Sequence, residues 1–95
     1  MHNYAYSFEW DKEKNLENIE KHGISFKEAE EAFFDKYRII QKDEKHSELE
    51  VRWYCIGKTS KDILTVRFTY RGKNKIRIIG AGNWRKGRKM YEQEN

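Results

Sequence analysis

Hydrophobic positions follow two rhythms along this chain, a helical one in the first half and a strand-like one in the second. Ser7-Phe8-Glu9-Trp10 alternates with period two and predicts a short first strand. Asp11 stands where a helix N-cap belongs. Leu16 and Ile19 lie three apart on one face of the helix that follows, with Asn15 beside them. Gly23 is placed to end it, because glycine enters the left-handed conformation without a Cβ penalty. Ser25-Phe26-Lys27-Glu28 is a capping box, in which the serine oxygen accepts from the third helical amide and the glutamate reaches back. Phe26, Ala29, Ala32 and Phe33 then recur at helical spacing. The pattern predicts two short helices joined by a Gly-Ile-Ser turn, with their apolar faces covering one side of a sheet.

Strand signals take over from Tyr37 to Lys42, from Arg52 to Gly57, from Ile63 to Arg71 and from Ile76 to Ala81. Polar turns separate them at Asp43 to Glu48 and Lys58 to Asp62, and Gly72-Lys73-Asn74 is a hairpin turn. Such short connections predict antiparallel pairing, since parallel pairs need long crossovers. Arg85 to Glu92 reads as a short basic helix or turn. The expected fold is α+β, one domain over residues 1–95. Two N-terminal helices pack on an antiparallel sheet of about four to five strands, and a short basic C-terminal helix follows.

Alternation also sorts the side chains. Leu64, Val66, Phe68 and Tyr70 share one face of their strand, and Thr65, Arg67, Thr69 and Arg71 share the other. Ile76 and Ile78 alternate with Lys75, Arg77 and Ile79. If the helices cover the Leu64 side, the opposite side presents Arg67, Thr69 and Arg77, and Arg52 joins them in one of its two registers. Arginine on the wet face of a one-sided sheet is common. A set of them fits an anion-binding surface, because a guanidinium pairs bidentately with phosphate.

Charge sharpens this picture. Residues 51–95 hold 12 Lys and Arg against 3 Asp and Glu, whereas residues 1–50 hold 8 against 13. The overall +4 therefore hides a strongly polarised domain suited to a polyanion, most simply a nucleic acid. The aromatic content of 15% argues for a packed core despite 38% charged residues. Cys55 is the single cysteine, so no internal disulfide is expected, and it reads as a small strand residue. No apolar stretch reaches the roughly 20 residues of a membrane span. Met1-His2-Asn3-Tyr4 lacks the basic and apolar regions of a signal peptide, so a cytoplasmic protein is expected. Cys/His metal spacing and paired carboxylates are absent, so no metal and no cofactor are expected.

Taken in order, several stretches form a resemblance. Phe8-Glu9-Trp10-Asp11, Lys14-Asn15, Asn18-Ile19, and Lys21-His22-Gly23-Ile24-Ser25-Phe26 followed by Glu28-Ala29 resemble the N-terminal signature of the BrnT family. So do His46-Ser47-Glu48, Glu50, Arg52 and Ile56-Gly57, then Phe68-Thr69, Arg71-Gly72, Ile76-Arg77-Ile78-Ile79 and Tyr91-Glu92. The resemblance spans nearly the whole chain. It implies a RelE-like fold and a toxin of a type II toxin–antitoxin pair that cleaves RNA and halts translation. It implies neutralisation by a BrnA-type antitoxin, which contacts operator DNA, so that the toxin meets DNA only indirectly. A dimer within that complex is compatible with it, and no membrane is involved. One departure stands out. Many family members follow the last strand with Ser-Ala-Arg and then a helix containing Glu-Arg, where this chain has Gly80-Ala81-Gly82 and no glutamate before Arg88.

Metal-free RNA cleavage uses the neighbouring 2′-hydroxyl as nucleophile and needs a base, an acid and a cation for the extra charge on phosphorus. Arg67 and Arg77 are the expected charge stabilisers, with Arg52, Arg71, Lys86 and Arg88 binding RNA around them. His22 titrates in the useful range, although a basic residue in a last helical turn also simply complements the helix dipole. Tyr91 and Lys86 are alternatives for proton transfer. His46 sits in a polar loop and reads as solvated, and His2 is terminal. Trp84 either stacks on a base or anchors the C-terminal segment. Two other functions fit the same residues. One is a nucleic-acid-binding module without catalysis, and the other is a basic face that only receives an acidic antitoxin segment.

Overall fold

The computed structural model describes residues 6–95, so His2 and the rest of residues 1–5 lie outside the described residues. Strand β1 (Ser7–Trp10) leads into helix α1 (Lys12–His22). The Asp11 carboxylate caps α1 by accepting from the amides of Glu13 and Lys14, and Gly23 ends it at φ 68°. Helix α2 (Phe26–Ala29) starts at the capping box, with both reciprocal Ser25–Glu28 bonds made, and tightens into a 3-10 turn over Glu30–Phe34. Strands β2 (Ile39–Lys42), β3 (Trp53–Lys58), β4 (Ile63–Arg71) and β5 (Lys75–Gly82) follow, then helix α3 (Arg85–Glu94).

The five strands form one sheet in the order β1-β5-β4-β3-β2. Four strands pair antiparallel, as short turns require, with Gly72 at φ 66° turning β4 into β5. The first strand differs from expectation, because β1 lies parallel to β5 at the sheet edge. Helices α1 and α2 lie between these two strands in sequence and act as the crossover that parallel pairing needs.

The core lies between the sheet and the α2 segment. Phe26, Ala29, Ala32 and Phe33 pack on Cys55, Leu64, Val66, Phe68, Ile76 and Ile78, all of them buried. This confirms the helical spacing of α2 and the inward face of β4. Burial also pushes the Cys55 thiol up to about 12, which keeps it protonated and inert. Helix α1 departs from expectation. Its inward face is polar, and Leu16 and Ile19 are 57% and 41% exposed. The buried Asn18 side chain donates to the Ile24 and Ala81 carbonyls and accepts from the Ala81 amide, while Asn15 accepts from the Phe26 amide. Hydrogen bonds to the backbone therefore dock this helix.

The other side of the sheet is not bare. Helix α3 packs across it, and Gly87 meets Thr65 and Ile56 so closely that a side chain there would overlap the Thr65 hydroxyl. Further along, Thr69 is buried beneath the loop before β3 and donates to the Val51 carbonyl at 2.8 Å. Arg67 lies between these two covers.

Candidate functional site

A β-bulge builds the floor of the site. Phe68 pairs with Ile78 but Arg67 pairs with Gly80, so Ile79 is an extra residue in β5. Unbroken alternation would set Ile79 beside Arg67 and turn Gly80 and Gly82 toward the core. The bulge instead leaves Ala81 in the core and turns both glycines to the α3 side. The Arg67 guanidinium lies over Gly80, where an added Cβ would come within 3.0 Å of Nη2. The Trp84 indole lies over Gly82, where an added Cβ would come within 2.7 Å of the ring. The two side chains make a cation–π contact, with the guanidinium carbon 5.8 Å from the ring centroid. The glycines that depart from the family pattern therefore leave room for an arginine and a tryptophan to lie close over the strand.

Arg67 and Trp84 line a cavity of about 620 Å³, together with Tyr54, Ile56, Thr65 and Met90, the cations Lys42, Lys45 and Lys86, and the carboxylates of Asp43 and Glu44. Among the described residues Arg67 has no carboxylate partner, and its buried Nε has no hydrogen-bond partner. His46 lies at the rim. Its Nδ1 is 2.9 Å from Asp43 Oδ2, a geometry that suits the tautomer carrying its proton on Nδ1. The His46 side chain is 54% exposed and Asp43 only 12%. The loop carrying this pair is held shut by a 2.8 Å bond from the Asp43 amide to the Arg52 carbonyl and by Ser47, which donates to the Asp43 carbonyl and accepts from the Arg52 amide.

The remaining expected site residues lie around this cavity rather than in it. Arg77 shares the face but points to the sheet edge, donating from Nη1 to Glu9 Oε2 at 2.9 Å. This bond, with help from Lys75, holds the Glu9 carboxyl below the usual range despite an opposing desolvation effect. Arg71 and Arg52 both reach Glu50, at 3.3 and 3.7 Å. Arg52 lines a second groove, which shares Lys45 and His46 with the first. Arg88 pairs with Asp62 and Glu92 and ties α3 to the β3–β4 turn. Tyr91 is buried, and its hydroxyl donates to Asp35 Oδ2 at 2.5 Å. Burial and that bond push the phenol up to about 12, and its proton is committed to Asp35. His22 contacts Trp84 edge-on at 5.4 Å but lines a smaller groove with Glu28 and Asp62. Of the residues singled out from the sequence, Arg67, Trp84 and Lys86 come together.

Sequence reasoning did not single out Asp43, Lys42 and Lys45, and it read His46 as solvated, which agrees with its exposed side chain but overlooks its pairing with Asp43. One signal was available for that pairing. His46 opens the His46-Ser47-Glu48 stretch that carries part of the family resemblance, and a histidine three residues after an aspartate in a tight loop can be paired. Among the described residues no group of three or more His, Cys, Asp or Glu side chains is arranged to hold a metal, and no helix is long and apolar enough to cross a membrane.

The model of the family described as "Ribonuclease toxin, BrnT, of type II toxin-antitoxin system" matches residues 10–87. The chain belongs to the BrnT family. The fold agrees with the 1.1 Å crystal structure of the Brucella abortus ribonuclease toxin BrnT. The TM-score is 0.66 at 23% identity, over 84% of this chain and 97% of that one. No curated protein matches by sequence. BrnT membership makes this chain one of a family of ribonuclease toxins with an antitoxin protein as partner. The match runs from Trp10, the last residue of β1, to Gly87 in α3, so the departures at Gly80 and Gly82 lie inside the family region.

Proposed function

We propose that this BrnT-family chain cleaves RNA in the cavity around Arg67 and thereby halts translation, and that a BrnA-type antitoxin neutralises it and carries the contact to operator DNA. The observation that supports this most is the state of Arg67. A guanidinium with no carboxylate partner and an unpartnered buried Nε among the described residues, braced by Trp84 and flanked by three lysines, is a preformed receptor for phosphate.

The chemistry follows from the same groups. His46 Nε2 takes the proton of the 2′-hydroxyl, with Asp43 holding the imidazole in the needed tautomer. The 2′-oxygen bonds to phosphorus, and Arg67 neutralises the charge that builds on the phosphoryl oxygens. The bond to the 5′-oxygen breaks, and that oxygen takes a proton from a donor on the rim, for which Lys86 is the candidate. The products are a 2′,3′-cyclic phosphate and a 5′-hydroxyl.

The test is incubation of labelled RNA with the protein in excess chelator. Cleavage that persists in chelator, yields cyclic phosphate ends and disappears in Arg67→Ala and His46→Ala supports the reading. A second reading, binding without catalysis, draws on the loss of the family's serine and arginine at Gly80 and Gly82. Intact RNA after long incubation, with binding that weakens steeply with salt, selects it.

A further inference from the structure

The cavity beside Arg67 is more apolar than a phosphate site requires. Its lining includes Ile56, the Trp84 and Tyr54 rings and the Met90 side chain beside the charged groups. Trp84 is 39% exposed, although Gly82 beneath it and Arg67 beside it fix its plane. A phosphodiester alone has nothing to place against an apolar lining. A nucleoside does, because its base carries a flat π-face and its phosphate carries the charge that the lysines and Arg67 complement. The volume of about 620 Å³ is ample for one nucleotide.

We propose that this cavity is a nucleobase subsite. One unpaired nucleotide next to the scissile phosphate swings out of its stack and lays its base on Trp84, so the substrate is single-stranded or loop RNA. This rests on the reading that the cavity binds RNA.

The test is a binding cycle with RNA made uncleavable by 2′-O-methylation. Wild-type protein and Trp84→Ala are each titrated with an intact strand and with strands carrying one abasic position near the cleavage site. A single base on the indole is expected to contribute on the order of tenfold to a hundredfold in affinity. Trp84→Ala therefore weakens the intact strand by that factor, one abasic position weakens wild-type binding by a similar factor, and the two losses do not add. Trp84→Phe restores most of the affinity. Gly82→Ala, which pushes the indole off its floor while keeping it present, copies Trp84→Ala. The subsite is overturned if wild-type protein and Trp84→Ala lose the same factor at every abasic position, or if wild-type protein binds and cuts a duplex as well as a single strand. Failure of wild-type protein to bind any RNA removes the ribonuclease reading along with the subsite. Loss of cleavage in Arg67→Ala with additive abasic losses removes the subsite alone.

Discussion

Arg67 and Arg77 look alike in the chain. Each sits mid-strand with its side chain on the same face, and each alternates with core residues. Their surroundings separate them. Arg77 faces the sheet edge, where the parallel strand β1 places Glu9 directly opposite in register and the two side chains pair. Arg67 sits two residues along β4 from the partner of Arg77, between α3 and the loop before β3, with a glycine beneath it and an indole beside it. An arginine is available to an anion when the fold withholds a carboxylate from it. Strand alternation decides the face, and the neighbouring strand decides the partner.

This contrast can be broken or sharpened by substitution. The largest expected effect is from Arg67→Ala, which should lower the rate of RNA cleavage about 100- to 1000-fold, the scale of removing one preorganised charge stabiliser. Thermal melting should stay near wild type, because no hydrogen bond of the fold runs through its Nε. His46→Ala should cost about 100-fold in rate, the lower range of general acid–base catalysis. Gly80→Val should cost about tenfold, because a side chain at Gly80 displaces the guanidinium by a fraction of the 1 Å that typically costs about 100-fold. Arg77→Ala should change the rate by less than about fivefold, since it removes a partly exposed ion pair outside the cavity.

Tyr91→Phe tests the other end of α3. It should leave the rate per folded molecule unchanged and lower the unfolding free energy by about 1–2 kcal/mol, measured by denaturant titration. Burial raises the Asp35 carboxyl and the Tyr91 bond, with the Lys58 and Tyr37 amides, more than offsets it, so Asp35 ends below its ordinary value. The phenol is raised from an ordinary 10.0 to about 12, so the folded state keeps a proton that the unfolded chain loses first. Stability should therefore fall as pH rises from about 10 toward 12, and Tyr91→Phe should remove its share of that slope, leaving the part that the buried Cys55 thiol contributes.

Much of the fold was legible from local signals. The capping box at Ser25, the glycine stop at Gly23 and the hairpin glycine at Gly72 act within a few residues, and the structure keeps all three. The α2 spacing and the inward face of β4 were legible because burial enforces periodicity. Leu16 and Ile19 misled because α1 docks through asparagine bonds to backbone 63 residues away, as in the contact from Asn18 to Ala81. The parallel β1 escaped notice because Trp10 runs straight into a helix, and nothing local reveals which strand it joins. In the site, Arg67, Trp84 and Lys86 were legible from charge and aromatic interleaving. The His46–Asp43 pair depends on a loop closed by Ser47, and the floor depends on a bulge at Ile79. Neither the closure nor the bulge has a local sequence signature.

The most direct test sets the two arginines against each other. Equal amounts of Arg67→Ala and Arg77→Ala, each shown to melt like wild type, are given the same labelled single-stranded RNA in chelator, and initial cleavage rates are compared. Arg77→Ala should cut nearly as wild type does, and Arg67→Ala should be slower by about 100-fold or more. Equal losses in the two variants, or a greater loss in Arg77→Ala, would contradict the role given to Arg67.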